Sequence, residues 1–314
     1  MSAVDLPAAA PAAAPRKRGR PPGYASQLAF VVAGLVPIMT FFAIFAFAPI
    51  AIVVWLSFLK YNQLAPTAPF IGLRNYAFAF QKDPYFLNAL AVTLKYAVVA
   101  VPLNLAIALP VALGLNQITR LRAVFRSAFF LPTVASAVAV SLIWRSIYDA
   151  QAGWLDGLVG WLGIPSQSWL GDPSLALWSI MVAAVWQDLG YNILILLAGL
   201  QTIPEDFYDA SKVDGAGVWA RFTDITVPLL SRTLLFVTVL TMISYLQQFT
   251  HVAVMPNNPG DPLHSTETMV LYIYTKAFRN MQLGYASAMS IVLMAIILVV
   301  TLVQMRLLRS RWEY

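Results

Sequence analysis

Cysteine is absent, histidine occurs only twice and charge is scarce, and each shortage removes a class of function. Without cysteine there is no disulfide, no thiol nucleophile and no thiolate-bound metal. His251 and His264 stand too far apart for the spacing of a metal-binding pair. No G-x-x-x-x-G-K-[ST] phosphate loop occurs, so the chain is not expected to hydrolyse ATP. Catalytic residues, metals and cofactors are accordingly not expected. Charged residues make up 11% of the chain, whereas soluble domains carry about 25%. With 60% of its residues hydrophobic, the chain cannot cover itself in water and reads as an integral membrane protein.

The N-terminal stretch MSAVDLPAAAPAAAPRKRGRPPG places alanine and proline before its cations and has no apolar core before Leu28. That order is the reverse of a secretory signal. Residues 1–27 are expected to form a disordered, basic tail. Within it, Arg18-Gly19-Arg20-Pro21, flanked by Arg16 and Lys17, resembles a minor-groove DNA hook. A juxtamembrane tail that fixes orientation explains the same cations, and no nucleic-acid partner is expected.

A membrane-crossing helix needs about 20 mainly apolar residues. Six segments meet this: 28–59, 86–115, 123–148, 175–201, 229–250 and 284–308. The predicted fold is all-α and polytopic, with six transmembrane helices. A loop of residues 60–85 separates the first span from a five-span core, 86–308, and 309–314 form a short tail. Prolines 37, 49, 102, 110 and 132 fall inside spans, where neighbouring helices can satisfy the freed backbone groups.

Cations concentrate on alternate connections: Arg16, Lys17, Arg18 and Arg20; Arg120, Arg122 and Arg126; Lys212, Arg221 and Arg232; Arg306, Arg309 and Arg311. By the positive-inside rule these connections and both termini face the cytoplasm, and 60–85 is extracytoplasmic.

The polar loop 203–227 is the most specific feature. Pro204-Glu205-Asp206 suits a helix start, with proline in the first turn and two carboxylates at the positive end of the dipole. Residues 207–213 then form a short helix, whose small Ala210 and Ser211 permit close approach by a partner. Gly215 and Gly217 are expected to break it with positive φ. Trp219, Phe222 and Ile225 give the following segment an apolar face, and Pro228 opens the fifth span.

Asp209-Ala210-Ser211, Gly215, then Ile225 and Val227-Pro228 resemble the E-A-A loop of ABC importer permeases, with Asp209 for Glu and Ser211 for the second Ala. Other elements resemble the maltose and multiple-sugar branch, and its MalF-like half in particular. They are Phe70-Ile-Gly-Leu-Arg-Asn-Tyr76, Phe125-Arg126 with Phe130-Leu131-Pro132, the approach LAGLQTIP ending at Pro204, and YIYTKAFRNMQLGYASAMS from Tyr272. The stretch Met255-Pro-Asn-Asn-Pro-Gly-Asp-Pro262 departs from the family's T-x-G-G-P. The resemblance implies a cell inner-membrane subunit that imports a sugar. Its implied partners are a second permease, cytoplasmic ATP-binding subunits and an extracytoplasmic solute-binding protein. It implies coupling to the ATPase through Asp209, Ala210, Ser211, Asp214, Gly215 and Ala216.

Polar side chains deep in a span face a bundle or a pathway. Thr241, Tyr245 and Gln248 share one helical face, beside Gln247, and the fourth span carries Gln187, Asp188, Tyr191 and Asn192. Gap-free alignment with maltose-type permeases puts solute contacts on Asn192, Thr241, Tyr245 and Gln248. Asp188 can meet a hydroxyl or a cation, and Lys95 is expected to snorkel. Glycerol phosphate or a polyol is the alternative solute. A self-sufficient secondary transporter or channel is the alternative class, one that often shows inverted repeats or broken helices.

Overall fold

The computed structural model describes residues 24–118, 122–163 and 165–307. The cations Arg16, Lys17, Arg18, Arg20, Arg120, Arg309 and Arg311, like the DNA-hook motif, lie outside them, as does Leu308. Two compact units make up the chain, Met1–Ile52 and Val53–Tyr314.

Helix α1 (Tyr24–Phe42), in the first unit, starts before the expected Leu28 and passes through a π-turn, Ala43–Phe47, into α2 (Ala48–Ser57), whose residues from Val53 on belong to the second unit. Phe30, Phe45 and Phe47 are exposed, as suits a helix surrounded by lipid rather than water. Pro49 explains the π-turn. A proline lacks the N–H its helix expects and its ring collides with the carbonyl four residues back. Widening that turn, with Ala48 N–H donating to Ala43 O, moves the carbonyl aside.

In the second unit, the connection after α2 carries a short helix, α3 (Arg74–Gln81), before the long α4 (Pro84–Gln117). Asp83 starts α4: its Oδ1 accepts from Tyr85 and Phe86 N–H at 3.1 and 3.3 Å, and Pro84 occupies the first turn. Its other oxygen accepts the hydroxyls of Tyr272 and Tyr285 at 2.8 and 2.6 Å. One buried carboxylate thus joins α4 to α13 (Met269–Tyr274) and α14 (Leu283–Leu307).

Along α4, Ala97, Ala100, Asn104, Ala108 and Ala112 recur every three or four residues and are fully buried. This small-residue stripe receives α8 (Ala176–Gln201), the most enclosed span, which carries Ala183, Ala184 and Gly190. A Cβ at Gly190 would lie 2.1 Å from the Phe129 carbonyl of α5 (Arg122–Val134).

The third expected span is not one helix. α5 meets α6 (Ala137–Ile147) at 96° across Ala135-Ser136, so among the described residues five helices are long and apolar enough to cross a membrane, and six only if this pair forms one span. Pro132 removes a helical donor one turn earlier. Distant side chains complete the break: Gln187 Nε2 donates to Ala135 O at 3.0 Å, and Thr133 Oγ1 to Gln187 O at 2.8 Å.

Beyond α7 (Trp154–Trp161) and α8, the loop 203–227 forms α9 (Glu205–Val213), then α10 (Val218–Arg221), which runs through a second π-turn, Phe222–Thr226, into α11 (Val227–Leu246). Pro228 therefore does not open the fifth span. It sits two residues after a π-turn, as Pro49 does, and the helix passes through it. Short α12 (Thr250–Val254) follows α11. Residues 255–268 fold back on α4, where His264 O accepts from Asn88 and His264 Nδ1 meets Glu267 Oε2 at 2.6 Å. Burial raises the Glu267 carboxyl above its ordinary range, an effect His264 opposes.

Gly190→Ala is expected to cost about 1–3 kcal/mol by forcing α5 and α8 apart, seen as a lower thermal midpoint of the detergent-solubilised protein. Gly157→Ala is its control, because nothing lies within 4 Å of that Cβ. Asp83→Ala, which strands two tyrosine hydroxyls and uncaps α4, is expected to lower the midpoint by the equivalent of about 3 kcal/mol. An unchanged midpoint would show that the carboxylate does not join these helices.

Candidate functional site

Two groups of predicted residues occupy distinct places. The first is α9 and the turn after it. Pro204 is the N-cap rather than a first-turn residue, and Glu205, Asp206 and Lys212 complement the helix dipole. The C-terminus closes through backbone alone: Ala216 N–H reaches Ser211 O at 2.9 Å and Gly215 N–H reaches Lys212 O at 3.1 Å. These two bonds form a Schellman motif, which requires a left-handed residue, and Gly215 supplies it at φ +77. Gly217 does not share this role. It has φ −68 and ψ 171 and is the extended N-cap of α10, a conformation open to any residue.

The two faces of α9 differ. Tyr208 and Ser211 turn inward: the Tyr208 hydroxyl lies 3.1 Å from Thr226 Oγ1, and Ser211 Oγ donates to Tyr208 O. Asp209, Ala210, Asp214 and Gly215 are exposed, and Ala216 is half-buried. Asp209 pairs with Lys212 at 2.8 Å, an exposed bond of small energetic weight. Around them Phe207, Val213, Val218 and Trp219 expose apolar surface, the last three by 75% or more. A shallow depression of about 540 Å³ lies beside the helix, bounded by Pro204, Phe207, Ala210, Asp214 and Ile225. The helix is thus bonded to the rest of the protein on one side and exposes apolar side chains on the other.

The second group lies between α4, α8 and α11. Asn192 Nδ2 donates to Asn104 Oδ1 at 2.6 Å and to Thr241 Oγ1 at 3.0 Å, and Asn104 Nδ2 donates to Tyr245 OH at 3.1 Å. Gln248 Nε2 reaches Tyr96 OH at 3.1 Å, and His251 lies 3.4 Å from Gln248 Oε1 and 3.0 Å from Gln187 Oε1. A cavity of about 130 Å³ opens beside this network, lined by Thr133, Asp188, Tyr191, Asn192, Thr241 and Ser244. Asp188, Asn192 and Thr241 thus border one polar space. Tyr245 is fully buried and does not border it, and Gln248 is likewise tied into the helix-to-helix network. Lys95 lies with its ammonium 5.1 Å from the centre of the Trp178 ring.

Asn104, Tyr96 and His251 join these polar contacts, and sequence reasoning did not assign them there, whereas Gln187 was among the polar residues it noted in the fourth span. Asn104 was accessible to it as the single polar member of an otherwise alanine stripe.

Residues 6–313 match the family model described as "Binding-protein-dependent transport system inner membrane component". The chain is 37% identical over 238 residues to the lactose transport system permease protein LacF of Rhizobium radiobacter, covering 73% of this chain and 78% of the other. It is 30% identical over 278 residues to the trehalose/maltose transport system permease protein MalF of Thermococcus litoralis, with coverages of 88% and 92%. It superposes on a chain of a bacterial ABC transporter involved in import of the acidic polysaccharide alginate, with a TM-score of 0.79 at 21% identity, covering 92% and 98%. The chain belongs to the inner-membrane components of binding-protein-dependent transport systems, as a multi-pass permease subunit.

Proposed function

We propose that this subunit imports a neutral sugar or oligosaccharide, driven by cytoplasmic ATP-binding subunits that grip α9. The observation that carries this reading is the two-sided construction of loop 203–227. Its outer face exposes Asp209, Ala210, Asp214 and Gly215 among apolar side chains. Its inner face is bonded to the helix that continues into the fifth span. A partner that moves α9 therefore moves α11. A second, similar permease completes the pathway, an extracytoplasmic binding protein delivers the solute, and both termini lie in the cytoplasm with the loop.

Relatives named for lactose and for trehalose and maltose support a saccharide. The cavity chemistry agrees. A carboxylate, an amide, hydroxyls and a tyrosine ring suit a polyhydroxylated neutral solute. No cation lines it to balance a phosphate, which counts against glycerol phosphate. A broken span occurs in self-sufficient secondary transporters too, but such a protein has no use for the outer face of α9.

Gly215→Pro removes both the left-handed conformation and the N–H that close α9. Affinity purification of the tagged chain in mild detergent is expected to retain the second permease and lose the ATP-binding subunit. Retention of that subunit at wild-type level would refute the docking role. Asp188→Asn is expected to leave the assembly intact and weaken solute transport by about 10- to 100-fold, the loss of one charge-assisted hydrogen bond. The test is uptake of labelled sugar by reconstituted vesicles, and an unchanged apparent KM would remove Asp188 from the pathway.

A further inference from the structure

A second polar feature lies at the opposite end of α4 from the loop 203–227. A groove of about 400 Å³ runs along α3, and its lining includes Lys60, Arg74, Asn75, Phe78, Gln81 and Lys82. Three of these are cations, and residues 53–82 contain no Asp or Glu to balance them. Among the described residues none of the three makes an ion pair. The adjoining carboxylate, Asp83, is buried and already accepts two tyrosine hydroxyls and two backbone N–H groups.

The groove is held in shape by bonds that do not involve the cations' head groups. Asn75 is 9% exposed, and its Nδ2 donates to the carbonyls of Ser57 and Leu59 at 2.8 and 3.0 Å. An isolated antiparallel bridge pairs Leu59 with Phe70, and Lys60 N–H donates to Pro69 O at 2.9 Å. Lys82 is fixed by the C-terminus of α3, where its N–H reaches Phe78 O at 2.9 Å. Its neighbours Phe70, Leu73 and Phe80 are exposed, at 65, 67 and 48%. Cations and exposed apolar side chains clustered on and around a short surface helix form the pattern of a segment lying in a membrane interface. Its place in the chain agrees, because α3 lies between the end of one spanning helix and the start of the next.

We propose that this groove binds the phosphate of an anionic membrane lipid, with Lys60, Arg74 and Lys82 around the head group. An anion there offsets part of the charge of three otherwise uncompensated cations, and the lipid's chains cover Phe70, Leu73 and Phe80. A lipid meets both features with one molecule, its phosphate at the cations and its chains over the apolar side chains, and the occupant we propose is phosphatidylglycerol. The groove is distinct from the polar cavity between α8 and α11 and shares no residue with it.

The test uses the full chain, purified in detergent and placed in phosphatidylcholine nanodiscs doped with phosphatidylglycerol, with retained lipid counted by native mass spectrometry. Wild type is expected to enrich phosphatidylglycerol over phosphatidylcholine. Each cation near a membrane surface contributes about a fivefold preference. The combined Lys60→Gln, Arg74→Gln, Lys82→Gln variant should therefore lose about a hundredfold of this enrichment, and Arg74→Gln alone about fivefold. Arg306→Gln, which removes an exposed cation in the last turn of α14, should change nothing. The single variant decides the matter if the triple variant does not fold. Undiminished enrichment in Arg74→Gln and the triple variant overturns the proposal. Release of the lipid by millimolar inorganic phosphate overturns the lipid assignment in favour of a free-phosphate site. Loss of binding-protein affinity with unchanged lipid enrichment overturns it in favour of a protein contact.

Discussion

The hydrogen bonds from Asn192 to Asn104 and Thr241 hold the core of this protein in register. In lipid, helices gain little from apolar contact with one another, since hydrocarbon serves equally well outside the bundle. Close approach and internal hydrogen bonds must supply the association instead. Asn192 joins three spans from one side chain, and the alanines of α4 bring the backbones near enough for it to reach. Tyr245 extends the network by accepting from Asn104, and its ring meets that of Tyr96 edge-on at 5.6 Å. The amides and hydroxyls of this network find their partners within the bundle, as the absence of water in a bilayer demands.

The same demand governs the irregular places. Two prolines, Pro49 and Pro228, are accommodated by π-turns that keep the chain helical. Near Pro132 the chain breaks instead, and the freed carbonyl of Ala135 is taken by Gln187 from another helix. Gln187 Oε1 also accepts from His251 Nε2, so the bend, the fourth span and α12 meet at one amide. A single polar side chain thereby ties a backbone defect to the network around the cavity.

Much of this was legible in the sequence because the bilayer restricts the options so severely. Composition and long apolar runs leave only a polytopic helical protein. Loop 203–227 was legible in detail because a positive-φ turn demands glycine, and Gly215 meets that demand. The second glycine misled, since an extended N-cap accepts glycine without requiring it. The 96° bend was hidden because Ala135-Ser136 carries no breaking residue and its partner lies some fifty residues away. The network around Asn104 was hidden for a similar reason: hydrogen bonds between spans depend on helix rotation, which apolar runs do not encode. Tyr245 and Gln248 were legible as inward-facing, but a one-dimensional pattern does not separate a side chain bordering a cavity from one sealed behind it.

The continuity of α10, the π-turn and α11 has a mechanical consequence. At about 1.5 Å per residue, the helix from Val218 to Leu246 is a rod of roughly 40 Å. Tyr208 is bonded near one end, at Thr226, and Thr241 lies near the other. A rod bends most easily where its section is irregular, and here that is the wide turn at Phe222–Thr226, which contains the Thr226 bonded to Tyr208. Compliance is thus concentrated where α9 is tied to the rod, and α11 beyond it is one unbroken length.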